Sequence, residues 1–407
     1  MNDRARRVIA DCREIAAMTE EPGRITRRFL TAPVREVHAW LITRMESAGM
    51  QVRVDAVGNL RGVWPPSTIA NPRLVMGSHI DTVPNAGAFD GVLGVILALH
   101  LAELARERNL ILPIELIAFS DEEGVRFEVP FLGSRAVAGR FDNALLALKD
   151  SDGITLEEAI RAFGLDPAGI QDAKLDENAI AFVEFHIEQG PVLEAENLQV
   201  AAVTGIVGQS WLTVKFAGQA NHAGTTPMHL RRDALAGAAE WIAAVEAQAQ
   251  SSDGLVATVG KVAAEPNAGN VVPGYVQVSL DVRHLNDRVR HTAVEEMLRR
   301  AEAIALRRNL TVESVYQMDQ PAVPMDERLT SFLTDAMEAA GLPAKTMPSG
   351  AGHDAMVMAT RLPTAMLFLR SPGGISHHPD EKVLEIDVEA ALTVGLQFLQ
   401  RLALEVR

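Results

Sequence analysis

The chain has 407 residues, of which 48% are hydrophobic, 22% charged and 5% aromatic, a composition that excludes a disordered or fibrous protein. Its length favours two domains, because a domain usually holds roughly 100 to 200 residues. With 38 Lys and Arg against 53 Asp and Glu, the net charge of −15 argues against nonspecific binding to nucleic acid or to an anionic membrane surface.

The first half of the chain alternates between two hydrophobic periodicities. Helical spacing predicts helices over residues 34–49 and 91–106. Extended apolar runs predict strands over residues 51–64, 73–78, 114–120 and 179–185. Strands that alternate with helices are typical of an α/β domain with a mostly parallel central sheet.

The pattern changes after residue 208. The predicted elements are then a strand at 211–217, a helix at 231–249, strands at 255–262 and 275–283, a helix at 287–307 and a strand at 310–317. This β-α-β-β-α-β order predicts a ferredoxin-like α+β domain with a four-stranded sheet and two helices on one face.

The helix and strand pattern of the first half returns after residue 325, with a helix at 327–340, a strand at 363–370 and a helix at 388–404. We therefore predict a discontinuous larger domain of residues 1–207 and 323–407. The α+β domain of residues 208–322 is inserted into it, with hinges near Gly208 and Pro321.

Neither a membrane anchor nor a secretory signal is predicted. The longest apolar run, residues 92–99, is far shorter than the roughly 18 to 25 residues that a membrane helix needs. Charged residues interrupt the N-terminus, and Cys12, the only cysteine, has no partner for an internal disulfide. We expect a cytoplasmic protein with no membrane association.

Chemically active residues follow the predicted strands, at the sheet edge where α/β proteins place their sites. His79 and Asp81 are two residues apart, so in extended chain they point the same way and the carboxylate can orient the imidazole. Asp90 precedes a predicted helix, where a carboxylate is favoured by the helix dipole and can bridge two cations.

Three further segments supply the same kinds of group. Glu122 and Glu123 follow a strand, and because adjacent side chains diverge, one can bind metal while the other takes a proton from water. His186 ends a strand, and His377 and His378 lie in a glycine-rich loop after another. Each residue alone has an ordinary explanation as a structural histidine, a solvated acid or a helix cap, but together they predict two cation sites that share one carboxylate.

The runs at residues 77–82, 89–91, 121–124, 186–190 and 374–379 resemble the aminoacylase and carboxypeptidase superfamily of di-metal amidohydrolases, which have an aminopeptidase-like catalytic domain. The stretches 186–191 and 221–228 resemble more narrowly its ureido-hydrolysing branch. That branch holds allantoate amidohydrolases, N-carbamoyl-L-amino acid hydrolases and β-ureidopropionase.

The resemblance implies two divalent ions, Zn²⁺ or Mn²⁺, and assigns their ligands. One ion would be bound by His79, Asp90 and His186, and the other by Asp90, Glu123 and His377. Glu122 would be the general base, and Asp81 would orient His79. The last loop departs from the family pattern of one histidine followed by Asn or Ser, and His377 is the aligned histidine of its pair.

The resemblance also assigns substrate contacts. His222 would polarise the substrate carbonyl, serving the active site of the partner in a homodimer formed through the inserted lid domain. Asn270 and Arg283 would receive the substrate carboxylate, which an Arg fork binds better than Lys. Gln189, Gly352 and His353 would complete the pocket. The alternatives are a surface loop for His222 and a surface salt bridge for Arg283.

The substrate implied by the resemblance is a small anionic ureido compound. The runs 121–127, 131–134 and 373–377 look closest to allantoate amidohydrolases, which would make the reaction allantoate to ureidoglycine, ammonia and CO₂, a step of purine catabolism. An N-carbamoyl-L-amino acid, N-carbamoyl-β-alanine or another amide is the alternative. A catalytically silent binding protein is the alternative of another class, and the intact Glu122 argues against it.

Overall fold

The computed structural model describes residues 1–65 and 72–405. The chain divides into two compact units: unit 1 comprises Met1–Thr204 with Met325–Arg407, and unit 2 comprises Gly205–Pro324. Residues 406–407, which end the predicted larger domain, lie outside the described residues. None of the helices among the described residues could span a lipid bilayer.

The strands and helices are numbered here in chain order. The strands are β1 (Gln51–Val54), β2 (Leu60–Trp64), β3 (Arg73–His79), β4 (Ile114–Phe119), β5 (Ala179–Ile187), β6 (Val200–Ile206), β7 (Gly208–Ala217), β8 (Asn221–His222), β9 (Val256–Thr258), β10 (Val262–Glu265), β11 (Val271–Val272), β12 (Tyr275–His284), β13 (Thr311–Gln320), β14 (Val323–Pro324), β15 (Thr346–Ser349) and β16 (Thr364–Leu369). The helices are α1 (Asn2–Ala16), α2 (Ala32–Ser47), α3 (Val92–Glu107), α4 (Leu132–Val137), α5 (Leu156–Ala162), α6 (Val192–Ala195), α7 (Ala234–Gln250), α8 (Asp287–Arg307), α9 (Glu327–Ala339), α10 (Asp354–Met358) and α11 (Glu385–Glu405).

The central sheet of unit 1 confirms the predicted α/β class. Strands β4, β3, β5 and β16 lie side by side and pair in parallel, while β2 and β6 flank them antiparallel. The strands β3 and β4 are buried along their whole length, as parallel strands covered on both faces usually are. Because β4, β3, β5 and β16 run parallel, their carboxyl ends meet at one edge of the sheet.

Within residues 1–64, unit 1 differs from the sequence-based expectation at two places. The single strand expected at 51–64 is the hairpin of β1 and β2, because the Asp55 carboxylate accepts the N–H groups of Val57 and Asn59 and turns the chain. The charged N-terminus, for which no element was predicted, is the amphipathic helix α1, which buries its apolar face, including Cys12.

A buried ion cluster joins three strand segments of unit 1. Glu115 of β4 accepts hydrogen bonds from the Nε atoms of Arg61 in β2 and Arg73 in β3, both at 2.7 Å. The Glu115 side chain is 1% exposed, and the two arginine side chains are 2% and 3% exposed. The carboxylate therefore pairs with two guanidinium groups that have lost most of their hydration, of which Arg73 is also paired with Asp176 at 2.9 Å.

Replacing Glu115 by Gln is expected to lower the free energy of unfolding by about 3 to 5 kcal/mol, because it leaves the buried Arg61 guanidinium without its carboxylate partner. Urea unfolding followed by tryptophan fluorescence measures the change. Glu157→Gln is the matched control, since the Glu157–Arg161 pair is exposed and contributes about 0.5 kcal/mol or less. Equal destabilisation by the two substitutions would contradict the expectation.

Unit 2 is built on an antiparallel sheet of order β10-β12-β7-β13, with β9 also paired to β12. Helices α7 and α8 pack on it, and the Trp241 indole N–H donates to the Met297 carbonyl at 2.7 Å inside the shared core. The strand expected at 255–262 is two short strands, β9 and β10, that pair with different parts of β12. A separate ladder joins β8 to β11.

Candidate metal centre

Four segments of unit 1 bring the candidate ligands together at the carboxyl edge of the parallel strands. His79 is the last residue of β3, His186 lies one residue before the end of β5, and Glu123 follows β4. Asp90 comes just before α3, after the loop that leaves β3. Gly91 has φ +65° and sits against the His79 ring, where a Cβ would overlap the imidazole, so this position requires glycine.

His79 and His186 are oriented by their own backbone neighbourhood. The Nδ1 atom of His79 lies 3.0 Å from the Asp81 carbonyl oxygen, and that of His186 lies 2.9 Å from the Ile187 carbonyl oxygen. Because a carbonyl only accepts, we assign the proton to Nδ1 in each ring. The two Nε2 atoms lie 3.5 Å apart.

Asp90 completes this group and begins a second one. Its Oδ1 lies 3.3 Å from Nε2 of His186 and 3.9 Å from Nε2 of His79. Its Oδ2 lies 3.2 Å from Nε2 of His377, which in turn is 3.6 Å from Oε1 of Glu123. In each of four groups among the described residues, the ligand-type atoms lie within 4.8 Å of one another. Two of them, the triads His79/Asp90/His186 and Asp90/Glu123/His377, share Asp90, and the other two are His79/Glu122/Glu123 and Glu184/His186/His353.

The electrostatics of the cluster favour positive charge between these groups. Burial, together with nearby carboxylates, raises the pKa of Glu122 well above its usual range and that of Glu123 to about 7. Burial opposes protonation of His79, yet Asp81 and Glu122 together raise the pKa of its imidazole well above the usual value. Imidazole nitrogens and carboxylate oxygens converging in this way fit divalent cations.

Burial lowers the pKa of His186, whereas at Asp90 the effect of burial on the pKa is outweighed by other interactions. Burial lowers the pKa of His186 to about 4, which keeps this ring neutral and able to donate a lone pair. Burial alone would raise the pKa of Asp90, but the hydrogen bond from His377 and the positive charges of His79 and His377 lower it well below the usual range. Asp90 is therefore ionised at neutral pH.

Asp81 has more contacts than the sequence suggested. Its carboxylate accepts the backbone N–H of Glu122 at 2.9 Å and that of Glu123 at 3.1 Å. Its Oδ1 lies 3.4 Å from Nδ1 of His79, farther than the Asp81 carbonyl that orients the ring. Asp81 therefore links the loop bearing His79 to the loop bearing the two glutamates.

The two adjacent histidines of the last loop face different partners. His377, with φ +56°, points its Nε2 at Asp90, as described above. His378 is exposed, and its Nδ1 accepts the backbone N–H of Asp380 at 3.2 Å. His377 is thus the one of the pair that lies in the carboxylate cluster.

The other expected pocket residues of unit 1 lie around the same cluster. The Gln189 amide donates to both oxygens of Asp90, at 3.2 and 3.3 Å. The His353 ring is buried, with its centroid 4.4 Å from that of His186, and its Nε2 lies 3.0 Å from the Ser349 hydroxyl. Gly352 faces the Phe131 ring: a Cβ added at Gly352 would lie 3.1 Å from Cζ of Phe131. His353 thus packs behind His186.

The expected substrate contacts of unit 2 fall in two places. The β8–β11 ladder places His222 near Asn270, whose carbonyl accepts the N–H of Ala223 at 2.9 Å. Nδ1 of His222 accepts the N–H groups of Gly224 and Thr225, so the ring proton belongs on Nε2. Arg283 lies on β12, and its NH2 is 2.7 Å from the Asp281 carboxylate.

Several supporting residues were not foreseen from the sequence. Arg27 is buried, donates through Nε to the Ile80 carbonyl at 2.6 Å, and flanks the Asp81 loop. Glu184 accepts from Ser78 and from the backbone of Ala355 beneath His186. Glu381 accepts from the loop that holds Asp90. Their partners are distant in the chain, so only the position of Glu184 in the run before His186 offered a signal.

Comparison with known proteins places these motifs in a wider context. A family model described as peptidase family M20/M25/M40 matches residues 75–405. A probable allantoate deiminase from Oryza sativa subsp. japonica is 35% identical over 429 residues, covering 97% of this chain and 87% of that protein. An N-carbamoyl-L-amino acid amidohydrolase from Geobacillus stearothermophilus is 39% identical over 376 residues, covering 90% and 91%.

A solved structure is similar over almost the full length. The crystal structure of an amidase of the hydantoinase/carbamoylase family from Burkholderia multivorans matches with a TM-score of 0.92 and 32% identity, covering 98% of each chain. The similarity therefore includes both units of the fold.

Proposed function

Because this chain belongs to peptidase family M20/M25/M40 and is a hydrolase of amide C–N bonds, we propose that it cleaves a ureido C–N bond of a small carboxylate with two divalent cations, Zn²⁺ or Mn²⁺. The observation that carries the proposal is that Asp90 lies between two triads of ligand-type atoms, with Glu122 beside them. A carboxylate in that position can bridge two cations.

The chemistry requires a better electrophile and a better nucleophile than a ureido group and water offer. When bound, two divalent cations polarise a carbonyl oxygen and lower the pKa of water. Glu122 is buried and forms a further group of ligand-type atoms with His79 and Glu123. It lies outside the two triads proposed as ligands, so its carboxylate can take the proton of the attacking water. It then returns that proton to the leaving nitrogen.

His222 supplies a hydrogen-bond donor of the required kind. Its Nδ1 is occupied as an acceptor by two backbone N–H groups, so Nε2–H is left as the donor of an exposed ring. Such a donor stabilises negative charge that develops on a carbonyl oxygen. We propose that unit 2 acts as a lid and dimerisation domain and that His222 serves the active site of the partner subunit.

Arg283 and Asn270 are proposed to bind the substrate carboxylate. Replacing Arg283 by Lys is expected to raise KM by about 10 to 100-fold with little change in kcat, because a bidentate charge-assisted contact contributes about 1.5 to 3 kcal/mol. Steady-state kinetics with the preferred substrate measures both parameters. An unchanged KM would assign the arginine to its Asp281 ion pair alone.

The proposed substrate is allantoate. The resemblance of residues 121–127 and 373–377 to allantoate amidohydrolases supports this choice, while the 39% identity to an N-carbamoyl-L-amino acid amidohydrolase favours that class as the second candidate. The test is ammonia release by protein loaded with Mn²⁺ or Zn²⁺. Allantoate, N-carbamoyl-L-amino acids and N-carbamoyl-β-alanine are assayed side by side.

We expect the highest kcat/KM with allantoate. A strong preference for a carbamoyl amino acid would overturn the substrate and leave the chemistry intact. Full activity of chelator-treated protein without added metal would overturn the chemistry.

A further inference from the structure

We propose that Glu381 is a positioning residue that joins the segment bearing Asp90 to the segment bearing His377 and so builds the Asp90/Glu123/His377 triad. The inference rests on the proposed function, because it concerns the cation affinity of that triad. It assigns a role to a residue outside both triads, which acts through the backbone.

The Glu381 carboxylate is buried and bonded on two sides. Its Oε1 accepts the backbone N–H of Phe89 at 2.9 Å and that of Asp90 at 3.0 Å. Its Oε2 lies 3.4 Å from the hydroxyl of Ser376, the residue before His377. One side chain therefore connects the two segments whose charged groups meet at Asp90 and His377.

The chain makes room for this contact at Gly87. A Cβ at Gly87 would overlap the Cβ and the carboxylate of Glu381. The φ of Gly87 is one that other residues adopt readily, so the absence of a side chain serves the close approach and not the backbone conformation. Gly87 offers a second, independent way to disturb the joint without removing the carboxylate.

The position of His377 depends on such hydrogen bonds between loops more than the positions of His79 and His186 do. His79 and His186 belong to the buried strands β3 and β5, and a backbone carbonyl orients each ring. His377 lies in a loop, with its side chain 49% exposed. Its approach to Asp90 therefore relies on contacts between the two loops, of which the Glu381 carboxylate supplies two buried hydrogen bonds.

The contact and not the negative charge is what matters in this proposal. A glutamine at position 381 keeps an oxygen that accepts both N–H groups, whereas an alanine removes them. We therefore expect Glu381→Ala and Gly87→Ala to weaken the binding of one of two Mn²⁺ ions by about 10 to 100-fold, the usual effect of losing a residue that orients a ligand. Glu381→Gln should bind both ions nearly as the wild type does.

The experiment is a titration of metal-free protein with Mn²⁺, in which electron paramagnetic resonance counts the free ion. His377→Ala provides the reference for a protein with only the His79/Asp90/His186 site. Equal weakening by Glu381→Gln and Glu381→Ala, with Gly87→Ala unaffected, would overturn the proposal in favour of a charge effect. Equal loss of both ions, or no change in any variant, would overturn it as well.

A second measurement does not depend on metal. Hydrogen exchange followed by mass spectrometry in the metal-free protein should show faster exchange of the Phe89 and Asp90 amides in Glu381→Ala and wild-type exchange in Glu381→Gln. Unchanged exchange in Glu381→Ala would refute the joint itself. Failure of the proposed function is seen separately, as absence of Mn²⁺ binding by the wild type.

Discussion

Replacing Glu122 by Gln is expected to lower kcat by about 10² to 10⁴-fold, the usual contribution of a general acid–base residue. Glutamine has nearly the same shape but takes up no proton at neutral pH. Glu122 also lies close to His79 and Glu123, but it is outside the His79/Asp90/His186 and Asp90/Glu123/His377 triads that we propose as ligands. We therefore expect the cation content to remain at the wild-type level.

Three measurements on the same preparation make this prediction specific: turnover by ammonia release, bound metal by elemental analysis and folding by circular dichroism. Glu177→Gln, a change of the same kind at an exposed position, is the control and should leave all three at wild-type values. Turnover that survives Glu122→Gln would remove this residue from the role of base. Loss of metal together with turnover would make it a ligand instead.

The second large effect is expected at Asp90, because both triads share its carboxylate. Asp90→Asn removes the negative charge that faces His186 on one side and His377 on the other. Cation catalysis contributes several kcal/mol, and each 1.36 kcal/mol corresponds to a factor of ten, so kcat should fall by about 10³-fold or more.

Metal binding separates Asp90→Asn from an ordinary loss of activity. The variant should lose affinity for both ions, whereas His377→Ala should lose one. Wild-type protein stripped by a chelator should regain activity on dialysis against Mn²⁺, and the Asp90→Asn protein should not. Retention of two tightly bound ions by Asp90→Asn would show that the carboxylate does not bridge them.

Much of unit 1 was predictable because the sequence patterns that indicate its strands and site residues lie within short segments. Strands β3 and β4 are continuous apolar runs followed by polar groups, and parallel pairing puts the ends of such strands at one edge. That rule is sufficient to bring His79 and Glu123 near each other. The motif resemblance added the specific ligand pairs.

The parts that were not predicted depend on contacts remote in sequence or on turns inside a run. The sequence of the β1–β2 hairpin has the apolar pattern of one long strand, and the turn is formed by hydrogen bonds from the backbone of Val57 and Asn59 to the Asp55 carboxylate. Glu381 is an unremarkable acid in a polar loop, and its partners Phe89 and Asp90 lie at the other end of the chain. Single-sequence periodicity carries no information about such pairs.

The triads draw on positions from His79 to His377, with all of unit 2 lying between them in the chain. A nascent chain of only the first 300 residues therefore contains His79, Asp90 and His186 but not His377. Nascent chains should acquire their full capacity for divalent ions only near the end of translation, and premature stop codons before position 377 should yield products with an incomplete site.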